Sequence, residues 1–171
     1  FDEFLIAVDQ FPNMIVGSGI QLDAIHLIIE HTWPPDLQLK LISPLGKESL
    51  LSLHNGNGVD DYGNSLDSLC IEYASFSDKA CSGISAFAPP FIGEFRPEES
   101  MSQNFLGEQV NGIWKLAICD RASGDIGNLR MIELVFAQEE CNRPENFLIY
   151  DVESDFAILN WDESLNCEWI K

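Results

Sequence analysis

Three carboxylates stand where hard-oxygen chemistry would need them. Asp36 opens an alternating segment, and Asp120 and Asp125 sit in the polar run DRASGDIGN between two others. Carboxylates carried on turns can converge on calcium, which takes roughly six to eight oxygen ligands. They can equally cap their own turns by accepting backbone N–H bonds, and both readings stand open. A second oxygen-rich stretch, residues 54–67, carries Asn55, Asn57, Asp60, Asp61 and Asp67 among glycines. Its spacing is not that of an EF-hand loop, and a connecting loop is the plain reading.

The nucleophile chemistry is sparse. A serine triad needs a Ser within reach of a His and an acid. The histidines are His26, His31 and His54, and there is no Gly-x-Ser-x-Gly elbow. His26 has apolar strand neighbours, and His31 precedes a turn, where it can bond backbone and fix a corner. Glycoside hydrolysis would need two carboxylates across a cleft, and no cleft is marked. The chain reads as noncatalytic. Of its five cysteines no pair has C-x-x-C spacing, which argues against zinc. Local pairs would join Cys70 with Cys81 and Cys141 with Cys167, leaving Cys119 a buried free thiol. Such pairs imply an oxidising, extracellular setting; five reduced thiols are the alternative.

Nine basic residues against 28 acidic ones give a formal charge of −19. That surface excludes nucleic acid and anionic membrane as natural partners and favours cations and basic proteins. No apolar run is long enough to span a bilayer. With 171 residues and 46% hydrophobic content there is material for one sizeable core and part of a second.

The elements that must carry these groups are strands. Trp114, Leu116 and Ile118 alternate with Lys115, Ala117 and Cys119, and Ile132, Leu134 and Phe136 alternate with Met131, Glu133 and Val135. This two-residue period belongs to strands with one buried face, here joined by the 120–128 loop. In LDAIHLIIE the set Ile25, Leu27 and Ile29 should face inward, and β-branching favours a strand over a helix. Leu37, Leu39 and Leu41 predict a further strand, turned by Ser43-Pro44-Leu45-Gly46 into a return strand over 49–53. Phe4, Ile6 and Val8 line one face of an edge strand or linker. Residues 68–76 predict a strand, and 86–95 an extended, proline-rich cover. Trp33 and Phe91 read first as core aromatics, with sugar stacking as the alternative. Many short strands and no long amphipathic helix predict an all-β sandwich. After Phe136 the character changes, and Ala157, Leu159 and Trp161 alternate in a unit too short to close its own core.

Five motifs in order resemble the P domain (homo B domain) of kexin-like and subtilisin-like proprotein convertases. They are His31-Thr32-Trp33 with Asp36-Leu37, the Ser43–Gly46 turn, and the Gly-rich, Asp-containing loop from Asn55 to Tyr62. Pro97-Glu98 with Ser102 and Phe105-Leu106-Gly107 follows, then Asn111-Gly112-Ile113-Trp114-Lys115-Leu116 with Asp120 and Gly124-Asp125-Ile126-Gly127-Asn128-Leu129. The paired acids that often follow the Gly-rich loop are replaced by Cys70-Ile71-Glu72-Tyr73-Ala74. The resemblance implies a jelly-roll β-sandwich over 1–138, noncatalytic, with His31, Thr32, Trp33, Trp114, Gly124 and Gly127 as structural residues. Residues 139–171 resemble the start of a fibronectin type III domain, a partial immunoglobulin-like sandwich. Together they imply an accessory module of a larger secreted or cell-surface bacterial protein. Its expected partners are neighbouring domains or a protease domain. Calcium is the one cofactor expectation. A free-standing adhesion or carbohydrate-binding module is the rival.

Overall fold

A computed structural model describes residues 1–58, 61–64, 71–124 and 126–138, and the backbone alone of Glu145–Tyr150 and Ile158–Asp162. In chain order the strands are β1 (Asp2–Val8), β2 (Ile20–His31), β3 (Leu37–Ile42), β4 (Glu48–Leu53), β5 (Ala74–Phe76), β6 (Gly93–Phe95), β7 (Gly112–Asp120), β8 (Gly127–Gln138), β9 (Glu145–Tyr150) and β10 (Ile158–Asp162). One four-stranded sheet has the order β1-β7-β3-β4 and the other β6-β5-β2-β8; β9 and β10 form a separate antiparallel pair. Apart from the parallel β5–β6 pair every ladder is antiparallel. The chain is an all-β sandwich. The single α-helix among the described residues, α1, is one turn long, Met101–Asn104.

Alternation builds the core. Ile25, Leu27 and Ile29 of β2 face Leu37, Leu39 and Leu41 of β3 and Trp114 and Leu116 of β7, all essentially solvent-free. Each residue pair along such strands sends one side chain inward and one outward, so a period of two fills a single interlayer. Trp114 sits at the centre. Its ring meets Phe105 edge-on at 5.1 Å and Phe136 at 5.9 Å, and its Nε1–H donates to the Val110 carbonyl at 2.9 Å. The indole therefore brings its apolar body into the core without an unsatisfied donor.

Local chemistry fixes the turns. The Asn111-Gly112 pair closes the approach to β7: Asn111 Oδ1 accepts from the Phe11 N–H at 2.9 Å, and Gly112, at φ +143°, leaves room for Pro44, which a Cβ would approach to 2.6 Å. In the Ser43–Gly46 turn the Gly46 N–H returns to the Ser43 carbonyl at 3.0 Å. The Ser43 hydroxyl donates to Glu108, a buried carboxylate that also faces Lys47 Nζ at 3.3 Å. Ser100 caps α1 and Asp78 accepts from the Met101 and Ser102 N–H groups, so a turn of helix is held by side chains from outside it.

Three expectations differ in detail. The strand predicted over 68–76 is β5 alone among the described residues, Ala74–Phe76. Phe91 is core as read, but the extended cover over 86–95 starts on the last residue of a 3₁₀ turn, Ile84–Ala86, and ends in the short strand β6. Trp33 is 42% exposed, because it follows the end of β2 and precedes the 3₁₀ turn Pro34–Asp36, beyond the sheets that could cover it.

Candidate functional site

The groups with chemical potential gather at one end of the sandwich. β2 ends on His31, β3 begins at Leu37, β7 ends on Asp120 and β8 begins at Gly127; Leu37 pairs with Asp120, and His31 with Gly127. His31 is buried and fully engaged. Its Nδ1 accepts from the Trp33 N–H at 3.1 Å, so the ring proton lies on Nε2, which faces Asp120 Oδ2 at 3.3 Å. The hydrogen-bond network thus assigns the neutral Nε2–H tautomer. Its backbone N–H donates to Asp61 Oδ1 at 2.7 Å. Gly127 lies directly on the ring, and a Cβ there would come within 2.6 Å of His31 Cδ2 and 2.8 Å of the Glu30 carbonyl.

Asp120 does double duty. Oδ2 faces the imidazole and Oδ1 accepts from the Ala122 N–H at 3.1 Å, which shapes the start of the following loop. Asp36 contributes its backbone: its N–H returns to the Trp33 carbonyl at 3.0 Å, and its carbonyl accepts from the Arg121 N–H at 3.1 Å. His54 completes this end. Its Nδ1–H donates to the Pro35 carbonyl at 2.8 Å, which leaves Nε2 to accept from the Arg121 guanidinium at 3.0 Å. Both ring nitrogens of His31 and of His54 are therefore in use within this end of the sandwich.

Of the three candidate calcium ligands, Asp36 and Asp120 come together at this end, and Asp125 lies outside the described residues. Among the described residues no three His, Cys, Asp or Glu side chains are grouped as a metal ion would require. Gly124, at φ +126°, supplies a backbone bend that L side chains rarely adopt, and Thr32 is exposed. Among the described residues Cys81 and Cys119 have no disulfide partner, and Cys119 is half-buried rather than buried because it sits on the outer face of β7; Cys70, Cys141 and Cys167, one or both members of each expected pair, lie outside the described residues.

The nearest approach to a hydrolytic row is elsewhere. Glu133, His26 and Ser75 are register partners across β8, β2 and β5, so they share the outer face of that sheet. His26 Nδ1–H donates to Glu133 Oε2 at 2.9 Å, and the Tyr73 ring stacks on the imidazole at 4.1 Å. Among the described residues no hydrogen bond joins Ser75 to His26, so the row is not linked as a triad.

A buried polar network was not legible beforehand. The Tyr62 hydroxyl lies 2.9 Å from Ser52 Oγ, and Asn55 Nδ2 donates to Ser52 Oγ at 3.0 Å and to Glu98 Oε1 at 2.7 Å. Burial pushes the Tyr62 hydroxyl up to about 12; the Ser52 bond lowers it somewhat and the Glu98 charge raises it. This network secures the loop that delivers Asp61 to His31. The signal available in the sequence was the aromatic embedded in an otherwise polar Gly-rich loop.

Residues 92–136 match the family model of the proprotein convertase P-domain. No curated protein and no solved structure matches the chain. The matched segment contains β6, α1, β7 and β8 up to Phe136, hence the Trp114 core, Asp120 and Gly127. The motifs N-terminal to it and residues 139–171 lie outside the match, and nothing matches the latter to a fibronectin type III domain. P-domains are noncatalytic accessory domains of proteases and belong to secreted proteins. No helix among the described residues is long and apolar enough to cross a membrane.

Proposed function

We propose that the chain is a noncatalytic accessory module of a larger secreted or cell-surface bacterial protein, of the type attached to subtilisin- and kexin-like proteases, and that it stabilises or docks neighbouring domains. The observation that carries this reading is the matched segment itself. It forms the central strand β7 and the edge strand β8, and its polar residues are spent on holding the sandwich together rather than on a reactive centre. Residues 1–138 are read as this module and 139–171 as the start of a fibronectin type III-like unit. The test is deletion of 1–138 from the full-length parent chain. Lower secreted yield and a lower melting temperature of the adjoining domain support the reading; an adjoining domain unchanged in both overturns it.

The calcium reading of Asp36, Asp120 and Asp125 belongs to the proposal. Carboxylates suit a hard cation, and two of the three share one end of the sandwich. A ligand that binds the folded state and not the unfolded one raises stability with the logarithm of its concentration above the dissociation constant. A melting temperature indifferent to both added calcium and a chelator removes this part.

A carbohydrate-binding role is the second reading, favoured by the exposed Trp33 ring beside polar residues. Retention on a glycan array that is lost in Trp33→Ala would support it; an array blank for the intact chain would dismiss it.

A further inference from the structure

The two flanks of the sandwich are closed differently. On one side α1 and its neighbours fill the gap between the sheets, with Met101 and Phe105 fully buried. On the other side lie the edge strands β1 and β8, each hydrogen-bonded on one edge alone among the described residues. The apolar side chains that pack on the core but stay half-buried are concentrated here: Ile6 and Val8 of β1, and Leu129, Ile132, Leu134 and Phe136 of β8. Two recesses open between these strands, about 260 Å³ near Phe4 and Leu129 and about 330 Å³ near Ile6 and Phe136. Ile126, 86% exposed, stands at the mouth of the first.

The β8 edge is long and orderly. A register shift at Ile28/Ile29 places one extra residue, Arg130, in β8, so Leu129 before it and Ile132, Leu134 and Phe136 after it all face inward. A long free edge bordered by uncovered apolar side chains is a ready template for another strand. The recesses lie about six residues apart along β8, or roughly 20 Å, and a strand added there would send every second side chain toward them. Their linings include Asp2, Asp120 and Glu133 and no Lys or Arg, in a chain of charge −19.

We infer that the free edge of β8 is a docking edge that accepts an extended, basic segment of a partner polypeptide with apolar residues at alternate positions. The inference rests on the docking-module reading and assigns it a surface. Backbone hydrogen bonds supply the ladder, the apolar side chains enter the two recesses, and the intervening cations meet Glu133 at one recess and Asp2 and Asp120 at the other.

The probe is an acetylated nonapeptide of alternating Val and Lys, added to the intact 171-residue chain and followed by backbone hydrogen exchange. The inference expects new protection at β8 amides, and binding weakened about threefold or more by Glu133→Lys, a change at an exposed side chain that leaves the core untouched. An alternating Lys–Pro peptide of equal charge cannot complete a ladder and should not protect β8. Equal protection by both peptides reduces the effect to charge and overturns the inference. So does protection confined to other strands, or outward β8 amides already protected in the free chain, which would assign the edge to the chain's own C-terminal segment. None of these outcomes alters the deletion test on the parent protein, so the two failures are separable.

Discussion

Replacing Tyr62 with Phe should make the protein weaker at neutral pH and stronger at high pH. The ring stays in place, fully buried against Phe91 at 4.8 Å between centroids, so the perturbation is confined to one hydroxyl. At neutral pH the loss is one buried hydrogen bond to Ser52, about 1 kcal/mol, since Ser52 keeps its bond from Asn55. The alkaline effect has the opposite sign. Burial raises the Tyr62 hydroxyl from 10.0 to about 12, so the folded chain holds this proton where the unfolded chain has released it. That contribution is fully present below the unfolded value and is lost as pH climbs through the folded one. Two pH units correspond to roughly 3 kcal/mol. The two stability curves should therefore cross between the unfolded and folded values. Urea unfolding at steps from about pH 8 to about pH 12, read by tryptophan fluorescence, measures both curves; thiols and lysines titrate alike in each protein and cancel in the difference. Parallel curves over the whole range would refute the reasoning, because they would mean that Tyr62 ionises equally well in both states.

Gly127→Ala should destabilise by about 1–3 kcal/mol, because the added methyl meets the Glu30 carbonyl as well as the His31 ring and the backbone cannot simply swing aside; thermal unfolding measures it. Trp114→Ala should cost about 3–5 kcal/mol by opening a cavity between Phe105 and Phe136, read as a lower denaturant midpoint. Asp78→Ala should cost about 1–2 kcal/mol, since it removes the acceptor for two N–H groups of α1, and hydrogen exchange should localise the loosening to 100–105.

The inward sets of β2, β3 and β7 follow from the order of residues, because a strand exposes its pattern every second position whatever it pairs with. The Ser43–Gly46 turn is likewise local, set by its proline, its glycine and a short bond within its own backbone, whereas the Asn111-Gly112 entry shows its residue types in the sequence but takes its partners, Phe11 and Pro44, from far along the chain. The family resemblance rests on such motifs, and residues 92–136 carry the part that the family model matches. Asp120 was visible as a turn-builder, but its hold on His31 spans 89 positions and exists because β7 and β2 end at the same pole of the sandwich. Asp61 was one acid among several in a polar loop, until Tyr62 in the core fixed which of them reaches His31. Glu108 gave no sign of burial, since a carboxylate can be enclosed only where tertiary contacts bring Ser43 and Lys47 to it. Trp33 carried the same apolar signature as Trp114 and ended exposed. Hydropathy tells a side chain to seek cover; only the arrangement of the sheets determines where cover exists, and it also leaves β1 and β8 with half-covered faces on one flank.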